Sequence, residues 1–352
     1  VPPVITIEEY STEWTNEDIT VYATVDKGTL NQDSYTFTEN GSFIFVARDI
    51  AGNITEKEVT ITNIDKASPV TPTPTITVNS NTEIIVEAIP TDDLSGLHEE
   101  YILWNKDGMD LGSWTKENVL VDSNLKPNTK YTYKYKAKDK VQNISEYSDS
   151  ASRYTLASYP IKVQLNDYTT TSAAFTIFND ETNGNIPENK IILKEKDTDI
   201  VVAESEWTKE ETIIIKNLLS DKNYEVWLNI RNEDKVENGE IKLSSTSEPP
   251  LVDYNNNPID DFITSEEEVT PVITIKPYNT APTNQDITVY ATVNKGTLNQ
   301  ESYTFTENGS FTFIAKTLLG NVAEKEVIIT NIDKVPPVIT IEEYSTEWTN
   351  ED

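Results

Sequence analysis

Sixty acidic side chains stand against 28 basic ones in 352 residues, so the chemistry most on offer is oxygen ligation of hard cations. Carboxylates and amide carbonyls suit calcium. The lack of cysteine and the single histidine, His98, remove thiolate and multi-histidine sites. Two groups of residues have ligand-like spacing. Asp49 and Asn53 lie four apart in a turn, echoed by Asp139 and Asn143 and by Asp234 and Asn238. Asn63 and Asp65, and again Asn331 and Asp333, stand just before a junction between segments. Calcium at Asp65 or Asp333 would stiffen a joint rather than create an activity. The competing reading is structural, because Asp and Asn close Asx-turns without any metal. Thr317 replaces Asp49 in a second copy of the turn and leaves only Asn321.

Catalysis has little to stand on. The chain holds no GxSxG, HExxH, Walker A or Rossmann glycine pattern. With so many carboxylates, close acid pairs arise by composition alone. A net charge of −32 repels nucleic acid, and no run of 18 apolar residues is long enough to cross a membrane. Exposed tryptophans could stack on sugars. However, Trp14 and Trp348 give way to Pro282 at the equivalent position, which makes that ring dispensable. Trp104 and Trp227 fall on alternating runs and are expected to be half-buried, whereas Trp114 and Trp207 sit at turns and are the best exposed candidates.

The elements that would position these groups come from an internal repeat. Residues 4–66 align without a gap on 272–334, with 46 of 63 positions identical. Residues 335–352 then repeat 1–18 without a difference, so the chain reads as a 334-residue block followed by the start of another. We expect it to be a window on a longer tandem array. Inside the repeat, ITVYATV (19–25) and EVTITNI (58–64) alternate at period two, as half-buried strands do. Asn40-Gly41, between YTFTE and SFIFV, predicts a tight two-residue hairpin. No window shows a helical period, so an all-β protein built of small sandwiches is expected.

The strings PPVITI, WTNED, YTFTENGSF, DIAGN and TNIDK resemble the immunoglobulin-like domains found in tandem on Gram-positive surface proteins. LKPNTKY (125–131), followed by TYKYKAKD, is similar to the tyrosine corner of fibronectin type III domains, and Leu218 and Tyr224 repeat it at an offset of 93. That family's core tryptophan is missing, and Ala88 and Phe178 take its expected place. The resemblance implies an extracellular structural or adhesive role.

The expected order is an immunoglobulin-like domain (1–66), a proline-rich linker (67–74) and two fibronectin type III-like domains (75–157 and 158–247). An acidic linker (248–270), a second immunoglobulin-like domain (271–334) and the first strands of the next block (335–352) follow. The linker carries seven acidic residues and no basic one within 247–271, which favours an extended strap. Leu251, Val252, Phe262 and Ile263 are the residues that could dock it instead. The function expected is a non-catalytic segment of a bacterial cell-surface stalk, fibre or adhesin, with neighbouring copies or a surface ligand as partners. Spacer modules of a secreted polysaccharide-active enzyme, or a ligand-binding adhesin segment, are the alternatives. Calcium is the cofactor the composition admits.

Overall fold

The structure is a computed structural model that describes residues 1–264 and 270–343. Among these there are strands and turns but no helix, and therefore no helix long and apolar enough to cross a membrane. The chain is all-β and forms a series of small sheet pairs. It divides into two compact units. One comprises Val1–Ser158 with Asp180–Glu188 and Ile230–Gly239; the other comprises Tyr159–Asn179, Asn189–Asn229 and the described residues from Glu240 onward.

The first unit begins with two three-stranded sheets. Ile19–Val25 lies between Ile5–Ile7 and Ser34–Phe37, and Gly41–Arg48 lies between Thr29–Leu30 and Ile54–Ile61. Strict alternation along Ile19–Val25 turns Ile19, Val21 and Ala23 inward to meet Phe37, Phe45, Val59 and Ile61. The expected Asn40-Gly41 hairpin does not form. Ser34–Phe37 and Gly41–Arg48 belong to different sheets, so the turn carries the chain across the core. Gly41 is absent from the glycines with positive φ. Asn40 instead spends its side chain on the backbone, donating to Ile64 O (2.9 Å) and accepting from Ile64 N–H (2.8 Å). Tyr35 and Phe43 stack across the gap with ring centroids 3.9 Å apart.

Residues 75–154 form a second pair of sheets. One orders Met109–Asp110, Leu97–Lys106, Lys130–Asp139 and Ala151–Tyr154; the other orders Val119–Ser123, Glu83–Glu87 and Thr75–Val78. Ile84, Val86, Ile102, Trp104, Tyr133 and Tyr135 fill the space between them. The tyrosine corner is present: Lys126 N–H donates to Tyr131 Oη at 2.9 Å.

The next sandwich lies mostly in the second unit. Lys162–Tyr168, Ser172–Phe178 and Thr212–Lys216 form one sheet, and Glu188–Glu195, Val201–Glu204, Lys222–Arg231 and Ile241–Lys242 belong to the other, with Glu188, Ile230 and Arg231 counted in the first unit. Leu219 N–H donates to Tyr224 Oη at 2.9 Å, the same corner 93 residues on. Phe178 does not replace a core tryptophan. Its ring is exposed at the end of its strand, and the fully buried Phe175 fills the core.

The acidic segment corrects the expectation of a linker over 248–270. Leu251–Asp253 pairs in parallel with Val163–Leu165, and Phe262–Thr264 pairs antiparallel with Lys222–Tyr224. Leu251, Val252 and Phe262 are buried and Ile263 is exposed, so three of the four apolar residues outweigh the charge repulsion along the strap. Residues 265–269 lie outside the described residues.

Residues 273–329 reproduce the opening pair of sheets strand for strand, including the Tyr303–Phe311 stack at 4.0 Å. Residues 335–343 form no strand. The rest of the trailing repeat, 344–352 with Trp348, lies outside the described residues.

Candidate metal centre

The six residues named as calcium candidates have different fates. Asp49 and Asn53 close their own corner: Asn53 N–H donates to Asp49 Oδ1 (2.9 Å) and Asn53 Nδ2 to Asp49 Oδ2 (3.0 Å). These bonds hold the Asp49 carboxyl below its usual range, with a smaller pull from the charge of Lys27. Asn63 donates its amide to Ser11 O and Glu13 O, and Asn331 does the same to Asn279 O and Ala281 O. Both side chains therefore pin a loop. Asp333 is exposed and accepts Val335 N–H at 3.0 Å, with no acidic cluster around it among the described residues.

Asp65 is different. It is fully buried, and it meets Asp92 and Asp139 so closely that one carboxylate oxygen from each lies within 4.8 Å of the other two. Backbone bonds between Thr15 and residues 63 and 65 fix the Asp65 main chain. Asp65 Oδ1 accepts Ala67 N–H, and Oδ2 accepts Ser95 N–H, both at 3.0 Å. Asp92 sits in the loop between Glu83–Glu87 and Leu97–Lys106, where its Oδ1 accepts the N–H groups of Leu94 (3.2 Å) and Gly96 (2.6 Å). Gly96 needs its positive φ of 80° to bring that N–H round.

Asp139 ends the strand Lys130–Asp139 and is also fully buried. Its Oδ1 accepts Val141 N–H (3.0 Å) and Asn143 N–H (2.8 Å), and its Oδ2 accepts Asn143 Nδ2 (2.7 Å). Burial pushes the Asp139 carboxyl up, the charges of Asp65 and Asp92 push the same way, and the Asn143 bonds only partly oppose them. Asn143 Nδ2 also reaches Asp65 O (2.9 Å) and Ala67 O (3.2 Å), which ties the corner to the end of the preceding sandwich.

Sequence reasoning singled out Asp65 and recorded Asp139 as an echo of the Asp49 turn, but it missed Asp92. Nothing in the spacing of Asp92 marks it, because a long-range fold brings it to the others. The echo in the next sandwich was also misplaced. Asn232 and Val236 repeat the Asp139–Asn143 backbone corner, with Val236 N–H donating to Asn232 Oδ1 at 2.9 Å. Asp234 instead accepts Tyr154 N–H, and Asn238 donates to Ala157 O.

The aromatic candidates are largely covered. Trp104 is buried rather than half-buried, and its Nε1 donates to Glu117 O. Trp114 carries Lys138 Nζ 4.9 Å from its ring centroid, and Trp227 carries Lys194 Nζ at 3.8 Å. Trp207 is half-buried and has Lys190 Nζ at 6.0 Å.

No family model matches the chain. Among curated proteins it is similar to the mouse receptor-type tyrosine-protein phosphatase eta, 29% identical over 148 residues. That match spans 42% of this chain and 12% of the relative's length. Among solved structures it is similar to the chicken CNTN1 FN1-FN3 domains (13% identity, TM-score 0.28), covering 68% of this chain and 98% of that one. A two fibronectin type-III domain segment from chicken tenascin aligns at 12% identity and TM-score 0.33, covering 49% and 96%. Domains A168-A170 from titin align at 11% and 0.32, covering 75% and 99%.

Proposed function

We propose that this chain is a non-catalytic structural segment of a bacterial extracellular stalk, fibre or adhesin, in which small sandwiches are held in a set register along the chain. The observation that supports this most is the density of amide bonding where residues 154–158 meet the loops 180–188 and 230–239, all inside the first unit. Asn128 Nδ2 donates to Asn185 O and Asn185 Nδ2 donates back to Asn128 O, both at 2.9 Å. Asn183 takes Ser158 N–H (2.8 Å) and returns a bond to Ser158 O (3.2 Å). Asn232 Nδ2 donates to Thr155 O (3.0 Å), Asn238 Nδ2 to Ala157 O (2.8 Å), and Glu233 N–H to Asn128 Oδ1 (3.0 Å). Directional bonds in this number specify one orientation in a way that a flexible tether does not.

The repeated 334-residue block supplies length by addition, as in other arrays whose modules contact only their neighbours. Excess negative charge keeps such chains soluble and apart. Small-angle scattering on one block and on two fused blocks tests the reading, together with protease shaving of intact cells. Maximum dimension should nearly double, and shaving should release fragments of the block. A two-block protein no longer than one block, or protection from shaving, would overturn it.

A further inference from the structure

We infer that Asp65, Asp92 and Asp139 form a calcium site that locks the end of the first sandwich to the loops of the next. Three features point the same way. The first is geometry. Oxygen ligands on one Ca²⁺ stand about 2.3–2.6 Å from the ion, so two of them are separated by at most about 5 Å. The three carboxylates already fall within 4.8 Å of one another. Magnesium demands a near-ideal octahedron and gives up its waters reluctantly, so it suits an all-protein cluster less well.

The second is Ser95. It is 3% exposed, its N–H is committed to Asp65 Oδ2, and its neighbours Leu94 and Gly96 donate to Asp92. The Ser95 hydroxyl is shut away from solvent in this same loop and bonded to nothing. A buried hydroxyl without a partner costs free energy, and a hard cation beside the carboxylates is the partner it lacks. Lys140 comes close to this loop, with its Nζ 3.2 Å from the place a Cβ on Gly96 would take. Lys140 is exposed and forms no ion pair among the described residues.

The third is a contrast within the same unit. Asp139 and Asn232 occupy the same backbone corner of successive sandwiches. Asn232 uses its NH₂ to hold Thr155 O and Tyr154 O of the preceding segment. Asp139 has no proton to donate and instead adds a third negative charge beside Asp65. At the first joint the amide bridge comes from Asn143 instead, and a divalent ion adds to it the link among the carboxylates that the Asp139 side chain cannot make by donating.

Calorimetric titration of the metal-free 352-residue chain with CaCl₂ in 0.15 M NaCl tests this, with MgCl₂ in parallel. We expect one calcium equivalent per chain, preferred over magnesium, with affinity lowered at least tenfold in Asp92→Asn and unchanged in Asp333→Asn. In the unsubstituted protein, calcium should slow hydrogen exchange at the Ser95 and Asn143 amides and leave those of Thr317 and Asn321 unaffected. Absence of stoichiometric heat, equal response to both ions, or unchanged exchange at Ser95 would overturn the site. Binding that survives Asp92→Asn in a protein with an unaltered circular dichroism spectrum would reduce it to diffuse counterion condensation and overturn it equally.

Discussion

Lys295 Nζ lies 3.1 Å from Asp167 Oδ1, with the two side chains 4% and 2% exposed. Both belong to the second unit, where Asp167 comes from the strand Lys162–Tyr168 and Lys295 from the turn after Ile287–Val293. Asp167 Oδ2 has no hydrogen-bond partner, so its charge is balanced almost wholly by the one ammonium. Removing one member of such a buried pair costs far more than the pair contributes net. Lys295→Met should destabilise the second unit by about 3–5 kcal/mol, and Asp167→Leu with Lys295→Met should recover most of the loss. Lys27, its counterpart 268 residues earlier, is exposed and donates to Val1 O, so Lys27→Met should leave the melting curve unmoved. Equal effects of the two lysine substitutions would disprove the assignment.

The two tyrosine corners predict a graded pair of losses. Tyr131→Phe and Tyr224→Phe each leave a backbone N–H without its acceptor, costing about 0.5–1.5 kcal/mol. Tyr224 is fully buried, also donates to Leu219 O, and packs 5.6 Å from Phe262, so its substitution should be the more damaging. Urea denaturation of the two variants ranks them.

Phe262 tests whether the acidic segment is part of a sandwich. Its ring lies near Tyr168, Phe175 and Tyr224. Phe262→Ala should therefore cost about 3–5 kcal/mol and expose residues 248–264 to protease. A free linker would register no change in stability.

Alkaline titration reads two buried phenols. Burial raises Tyr135 to about 12, and burial together with the bond to Asp122 raises Tyr133 further. In the unfolded chain both ionise near pH 10. The folded state thus holds more protons than the unfolded state above pH 10, so stability is complete below that value and falls as pH rises. Thermal melts should drop steeply between about pH 10 and 12, and less steeply in Tyr133→Phe.

Much of the fold was legible because its signals are local. The alternation in 19–25 placed Ile19, Val21 and Ala23 inside, and the LKPNTKY string located a real tyrosine corner. The Asn40-Gly41 hairpin failed because local turn chemistry cannot reveal that Asn40 will bind Ile64, 24 residues away. The acidic strap misled for a related reason: composition counts charge, while docking depends on a few apolar side chains finding a sheet edge. The carboxylate cluster was half visible. Asp65 stood out before a junction, but its partners Asp92 and Asp139 are 27 and 74 residues away in sequence, and only folding joins them.

The corner shared by residues 49–53, 139–143, 232–236, 253–257 and 317–321 has one pattern of main-chain bonds and three choices of side-chain pair. Its first position is Asp, Asp, Asn, Asp or Thr, and in every case the side-chain oxygen accepts the N–H four residues on. Asp and Asn codons differ by one nucleotide. A lineage that duplicates blocks can therefore convert a joint between ionic, amide and uncommitted forms by single mutations, without remaking any strand. Selection would then act on how each copy responds to the salts of its surroundings while leaving its scaffold alone.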